Sequence, residues 1–202
     1  MRDPYLYEDI DVLENKLAIR SAEELTEAEA NITYLLFLAI DKEFERMPFD
    51  FSRLCALHRY LFGDIYDWAG KPRSIPMVKG EKVLGGDTVR YSAPDDIEKD
   101  AAKAIAALNS IDWTQLGAEE TSQQFARLIA KLWQVHPFRE GNTRTVITFA
   151  TQFAAAHGFL MDKNLLREHA SYVRDALVKA SDGPYSDYKY LQEIFKDAIL
   201  QG

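Results

Sequence analysis

At 202 residues, with 47% apolar and 12% aromatic side chains, the chain is long enough to bury one sizeable core without disulfides, and its single cysteine, Cys55, has no internal partner. Lys and Arg total 24 against 32 for Asp and Glu, a net charge of -8, which removes long-range attraction to a phosphate backbone and argues against nucleic acid as a partner. Neither a signal-peptide run nor a charge-free stretch of bilayer length occurs, so the expectation is a soluble cytoplasmic protein with no membrane partner.

No repeat, low-complexity tract or linker interrupts the chain, so residues 1–202 read as one mainly α domain. Ile32, Leu35, Leu36, Ala39 and Ile40 follow a helical stripe, and Leu54, Leu57, His58, Leu61, Phe62 and Ile65 follow a second. From Lys71 to Ser92 the pattern changes. Ser74–Lys79 and Thr88–Ser92 read as strands around Gly80, Gly85 and Gly86, which predicts a two-stranded hairpin over about 71–92 with a long tip. Such a hairpin is too small to stand alone and must pack on helices. Gly80–Asp87 has glycines at Walker-like spacing, but no Lys-Ser/Thr pair and no long helix follow, so it is read as the tip. Ile97, Ala101, Ile105 and Leu108 form a weaker helical stripe. Phe125, Leu128, Ile129, Leu132 and Trp133 form the strongest, which Thr121 and Gln124 would open as a capping box. Val146, Phe149, Ala150 and Phe153 continue the pattern to Gly158, the expected left-handed cap. Two more helices are predicted, around Leu165 to Leu177 and Tyr188 to Ile199. Cys55 and the histidines His58, His157 and His169 read as core or capping residues, and the scattered Cys and His have no zinc-ligand spacing.

Between the two best helices lies His136-Pro-Phe-Arg-Glu-Gly-Asn-Thr-Arg-Thr145, which packing alone does not require. Pro137 disfavours helix at His136, and Gly141 permits a sharp turn before a helix that starts near Asn142. The N–H groups of Gly141, Asn142 and Thr143 would then face outward at a helix N-terminus, forming an anion site to which Arg144 adds a charge-assisted donor. Glu140 suits Mg2+ held jointly with phosphate oxygens, and His136 suits a general base. Residue chemistry alone thus points to phosphate transfer over the loop 136–144.

This loop, HPFREGNTRTVI, resembles the HxFx(D/E)GNGRxxR motif of the Fic family, and Asp3-Pro-Tyr-Leu-Tyr7, Leu57-His-Arg-Tyr-Leu61 and Tyr66-Asp-Trp-Ala-Gly70 resemble other parts of the same family. The resemblance covers essentially the whole chain. It implies a Fic-fold helical domain with a flap, and transfer of a nucleoside monophosphate, from ATP as donor, to a Ser, Thr or Tyr hydroxyl of a target protein. By the same resemblance His136 is the catalytic base, Glu140 the Mg2+ ligand, and Gly141, Asn142, Thr143 and Arg144 the phosphate-binding group, while Phe138 anchors the loop. The hairpin corresponds to the flap, with Ile75, Met77, Val78 and Lys79 clamping an extended target segment by main-chain pairing.

Two positions depart from the motif: Thr143 stands where the family has Gly, and Ile147 where it has a second Arg. Thr143 narrows the space over the phosphates, and Ile147, one turn beyond Arg144, cannot reach them. The donor expected for a full motif therefore needs separate testing. The alternatives are phosphoryl or phosphocholine transfer, or a non-catalytic nucleotide- or protein-binding domain. The family's inhibitory S/T-x-x-x-E-G/N motif has no match in the chain, so a separate antitoxin-like inhibitor, or no such brake, is expected in place of a glutamate finger. A short stand-alone domain of this kind resembles the toxin half of a bacterial toxin–antitoxin pair, acting in its own cytoplasm or in a cell into which it is delivered.

Overall fold

The structure is a computed structural model that describes residues 2–200, apart from the side chains at positions 38, 41 and 42. Helix α1 (Ala22–Glu43) starts where the Ser21 side chain accepts the Glu24 N–H, with Glu23 and Glu24 at the positive end of the helix. Its expected apolar stripe is only partly buried: Ile40 is enclosed, whereas Leu35 is 67% exposed. The inward face is mixed instead, with Leu25, Glu29 and Thr33 buried. Helix α2 (Phe51–Phe62) is capped by Asp50, which accepts the Arg53 N–H, and it buries Leu54, Leu57, His58, Leu61 and Phe62 as its period predicts.

Helices α3 (Ile97–Asn109) and α4 (Ala118–Val135) pack against one another. The stripe of α3 is buried in full. The start of α4 corrects the expected capping box: Gly117 is the cap, Glu119 and Glu120 occupy the first turn, and Thr121 is already a buried helical residue. A helix that begins earlier places two carboxylates near its positive end, which a start at Thr121 would leave in the connection.

Helix α5 (Asn142–Ala156) is capped by His157 and followed by Gly158, which has φ +89°, the left-handed turn expected there. Strand β1 (Leu160–Met161) follows. The expected helix from Leu165 is interrupted at His169, giving α6 (Lys163–Glu168) and α7 (Ala170–Ala180). Helix α8 (Lys189–Ala198) leads into strand β2 (Ile199–Leu200), which pairs antiparallel with β1 in the register Leu160–Leu200 and Met161–Ile199. Helix α4 lies at the centre, against α3, α5, α7 and α8. An aromatic cluster of Trp113, Phe125, Phe153, Phe159 and Phe195 fills the space around it. Cys55 is half-buried on α2, and burial pushes its thiol up to about 11, in keeping with a packing residue. No helix among the described residues is long and apolar enough to cross a membrane.

The segment 71–92 differs from the expected paired hairpin. Residues 73 to 81 alternate strictly, with Arg73, Ile75, Met77, Lys79 and Glu81 turned inward and the residues between them exposed, so the limb is pleated like a strand. It has no ladder with the returning limb. The limbs join at the tip through Glu81 N–H to Asp87 O (2.8 Å) and Gly86 N–H to Glu81 O (3.0 Å). One step below, the Lys79 N–H donates to the Thr88 hydroxyl (3.1 Å), so a side chain takes the place of a cross-strand carbonyl. The small sheet of this fold is β1 with β2, which are too short for alternation to reveal them.

Candidate active site

His136 ends α4 in the left-handed region, φ +51°, with its N–H donating to Trp133 O (3.0 Å). Pro137 opposes helical geometry at the preceding residue, so the chain leaves the helix there in a conformation that costs a non-glycine residue on the order of 1 kcal/mol. Such strain persists only where the surroundings enforce it. The enforcing contacts lie on both sides of the ring: Tyr91 covers one face at 4.1 Å between centroids, and Trp133 meets it edge-on at 5.3 Å. Both ring nitrogens are buried without a hydrogen-bond partner among the described residues. Burial first, then the charges of Lys79, Arg73 and Arg174, hold the imidazole well below its ordinary pKa.

The loop that follows is anchored from beneath. Phe138 is fully buried and stacks on His58 at 3.8 Å. His58 accepts the Gly70 N–H at Nδ1 (2.8 Å), which fixes its Nε2–H as donor to Glu140 O (2.9 Å). Asn142 uses its carboxamide on the same anchor, accepting from Phe138 N–H (2.9 Å) and donating to Phe138 O (2.8 Å). Its side chain therefore braces the loop, and its backbone N–H is the group left for an anion. Arg139 is held by Asp3 at 2.7 Å, tying the N-terminal segment to the loop.

Gly141, φ +79°, makes the turn into α5, and a Cβ there would lie 2.4 Å from the Phe62 ring, which is itself fully buried. Gly141→Ala is therefore expected to cost about 2 kcal/mol or more in chemical denaturation, since it combines a left-handed non-glycine with an overpacked core. A loss below about 0.5 kcal/mol would contradict the clash. The free donors are shifted by one residue from the sequence expectation. The Gly141 N–H is occupied by Glu140 Oε1 (2.9 Å), and the first helical bond is Thr145 N–H to Gly141 O (3.0 Å). The amides of Asn142, Thr143 and Arg144 thus stand ahead of the ladder at the positive end of the helix.

Thr143 acquires a structural reason: its hydroxyl accepts the Trp133 indole N–H (2.9 Å), which links the N-terminal end of α5 to the ring that edges His136. Ile147 is half-buried and packs against the core. Arg144 lies over the Phe62 ring at 4.7 Å, pairs with the buried carboxylate of Glu29 and donates to Thr33 (3.3 Å); Glu29 also accepts from Tyr66. Glu140 turns its second oxygen to Lys79, 3.3 Å away. Burial raises the Glu140 pKa, but Lys79, the Gly141 N–H and Arg144 outweigh it, and the carboxyl is held below its usual range. Among the described residues there is no group of three or more His, Cys, Asp or Glu side chains that could hold a metal. A hard cation at Glu140 would complete its shell from phosphate oxygens and water, which a lone ionised carboxylate fits.

Arg73 joins the flap to the loop. Its guanidinium donates to His136 O (2.8 Å), Ile75 O (2.6 Å) and Ser92 O, and its N–H to Pro137 O (2.8 Å). At the tip, Arg174 of α7 pairs with buried Glu81 (2.8 Å), which also accepts from Tyr91 (3.3 Å). The structure brings His136, Glu140, Gly141, Asn142, Thr143 and Arg144 onto one loop and helix end. It sets Ile75, Met77 and Lys79 on the inward side of the flap, and Val78 outward, 80% exposed. Arg73, Tyr91, Glu29 and His58 were missed as site residues. His58 lay on an apolar stripe, and nothing in the local pattern marks the other three.

The sequence model of the Fic/DOC family matches residues 48–154, from α2 through the flap and loop to α5. Among curated proteins, the probable protein adenylyltransferase y4lH of Sinorhizobium fredii is 33% identical over 190 residues, covering 91% of this chain and 90% of that protein. The probable protein adenylyltransferase Fic of Salmonella typhimurium is 30% identical over 201 residues, covering 99% and 94%. Among solved structures, the BepC effector of Bartonella tribocorum with bound AMPPNP matches with a TM-score of 0.80 over 98% of this chain and 97% of that one; at 21% identity this is a likeness of fold.

Proposed function

This chain belongs to the Fic/DOC family, and from that premise we propose that it is a protein adenylyltransferase, moving AMP from ATP to a Ser, Thr or Tyr hydroxyl of a target protein. The observation that carries the reading is the imidazole of His136: desolvated, uncharged and unpartnered, on a loop whose far end offers three free amides. The names of the two relatives support the donor, and the AMPPNP bound in BepC supports a nucleotide ligand.

In this reading His136 takes the proton of the target hydroxyl as its oxygen attacks the α-phosphorus of ATP. The bond to the β-phosphate breaks, and pyrophosphate leaves. The amides of Asn142, Thr143 and Arg144, the α5 dipole and the Arg144 guanidinium hold phosphate oxygens, and Gly141 admits their close approach. Glu140 would hold Mg2+, which when bound supplies neutralisation of phosphate charge. Ile75, Met77, Val78 and Lys79 present an extended limb on which Ile75 O and the Lys79 N–H are taken by Arg73 and Thr88, and the main-chain groups of Met77 and Val78 between them are suited to add a target segment as a neighbouring strand. A separate antitoxin-like protein is the proposed brake.

The test is to incubate the purified protein, and its His136→Ala variant, with Mg2+, ATP or another donor, and cell lysate, and to read added mass on peptides. An adenylyl adduct on a hydroxyl residue that vanishes with the variant supports the proposal. A phosphoryl or phosphocholine adduct, or no adduct with any donor, overturns it.

A further inference from the structure

Lys79 stands between two exposed flap residues, Val78 and Gly80, yet its side chain turns inward and is only 25% exposed. Its ammonium meets the Glu140 oxygen that the Gly141 N–H leaves free. Every other cation around the loop is held by a partner that has no proposed part in binding Mg2+, Arg139 by Asp3 among them. Arg144 is paired with Glu29 and Arg174 with Glu81, and both carboxylates are buried. Arg73 is spread over three carbonyls. The turn after Arg144 adds only Ile147.

The partner of Lys79 differs, because Glu140 is the carboxylate that the proposed function gives to a divalent cation. One carboxylate cannot keep an ammonium and a divalent cation both in contact without strong repulsion between the two. Once the cation takes Glu140, the ammonium is left uncompensated beside a polyphosphate, on a flexible four-carbon stem that lets it move.

Resting on that function, we propose that Lys79 is a ligand of the donor's phosphate chain, carried by the flap and held in readiness by Glu140 until Mg2+ and the triphosphate enter together. The flap then contributes to the donor site as well as to the target site, and its position registers whether a polyphosphate is present. The charge that α5 lacks at Ile147 comes from the opposite wall.

The experiment compares the affinities of AMP, ADP and a non-hydrolysable ATP analogue, each with Mg2+, by calorimetry on the wild type, Lys79→Met and Lys79→Arg. Met keeps the length of the stem, and thermal unfolding checks that the variant is folded. The analogue is expected to bind Lys79→Met about tenfold or more weakly, the size of one charge-assisted contact. ADP should lose less and AMP less than about twofold, and Lys79→Arg should bind close to wild type. Equal analogue binding by wild type and Lys79→Met would overturn the inference alone. An equal loss for AMP and the analogue would reduce Lys79 to a packing role and overturn it too. A wild type that binds none of the three would overturn the nucleotide reading, and this inference with it.

Discussion

His136→Ala is expected to lower the rate of transfer by about two to four orders of magnitude at saturating donor, the range that a positioned general base contributes. Nucleotide affinity should change by less than about threefold, because the amides of α5 and Arg144 are untouched. Alanine at φ +51° leaves a hole between Tyr91 and Trp133, so His136→Asn is the companion variant, asparagine being tolerant of left-handed backbone. Both should be inactive and folded. The wild-type pH profile checks the same residue. With its pKa held well below the ordinary imidazole value, the base is already uncharged at neutral pH. The rate should be level from about pH 6.5 upward and fall only in acid, where the depressed group takes up its proton. A rate that climbs tenfold per unit between pH 6.5 and 8 would exclude His136 as the base.

Arg73→Met is expected to be the most destabilising single change near the site. The charge of Arg73 is buried with no carboxylate partner among the described residues, and burial lowers its pKa; the dipoles of three carbonyls stand in for water. Methionine preserves most of the volume and removes every donor. About 3 kcal/mol or more should be lost in urea unfolding, from charge-assisted bonds at about 1.5–3 kcal/mol each and acceptors left buried without a donor. This is a large part of the whole stability of an ordinary domain. Transfer should fall too, because the carbonyl of His136, the proposed base, and both limbs of the flap lose a common support. A variant as stable as the wild type would show that the fold holds the flap by packing instead.

Elements whose evidence is local were readable from sequence. The buried stripe of α4 from Phe125 to Trp133, the end of α4 at His136 before Pro137, and the turn at Gly141 all follow from periodicity and backbone restrictions within a few residues. Boundaries set by competition were less legible: Thr121 and Gln124 fit a capping box, but Gly117 with Glu119 and Glu120 starts the helix a turn sooner. The flap shows the same limit. Its alternation was visible, but whether two alternating limbs pair depends on what each already bonds, and here Arg73 and Thr88 occupy groups that a ladder would need. The bracing of the site was illegible for a further reason. Glu29 reaches Arg144 across 115 positions and Arg73 reaches His136 across 63, and no periodicity encodes contacts at that separation.

His58 beneath the loop and His136 at its mouth share a property with a consequence for the whole molecule. Burial drives both below the ordinary imidazole value near 6.5, His58 to about 3. In the unfolded chain the same two side chains would accept protons readily below that pH, so hydrogen ions bind the unfolded chain in preference to the native one. The stability that neutral imidazoles confer is complete above about pH 6.5 and drains away as the pH falls toward the native values, at up to about 1.4 kcal/mol per pH unit for each ring. His58 braces this loop from beneath and His136 stands at its mouth, so acid acts as a solvent-borne antagonist of the folded state, and its point of entry is the loop of the proposed active site.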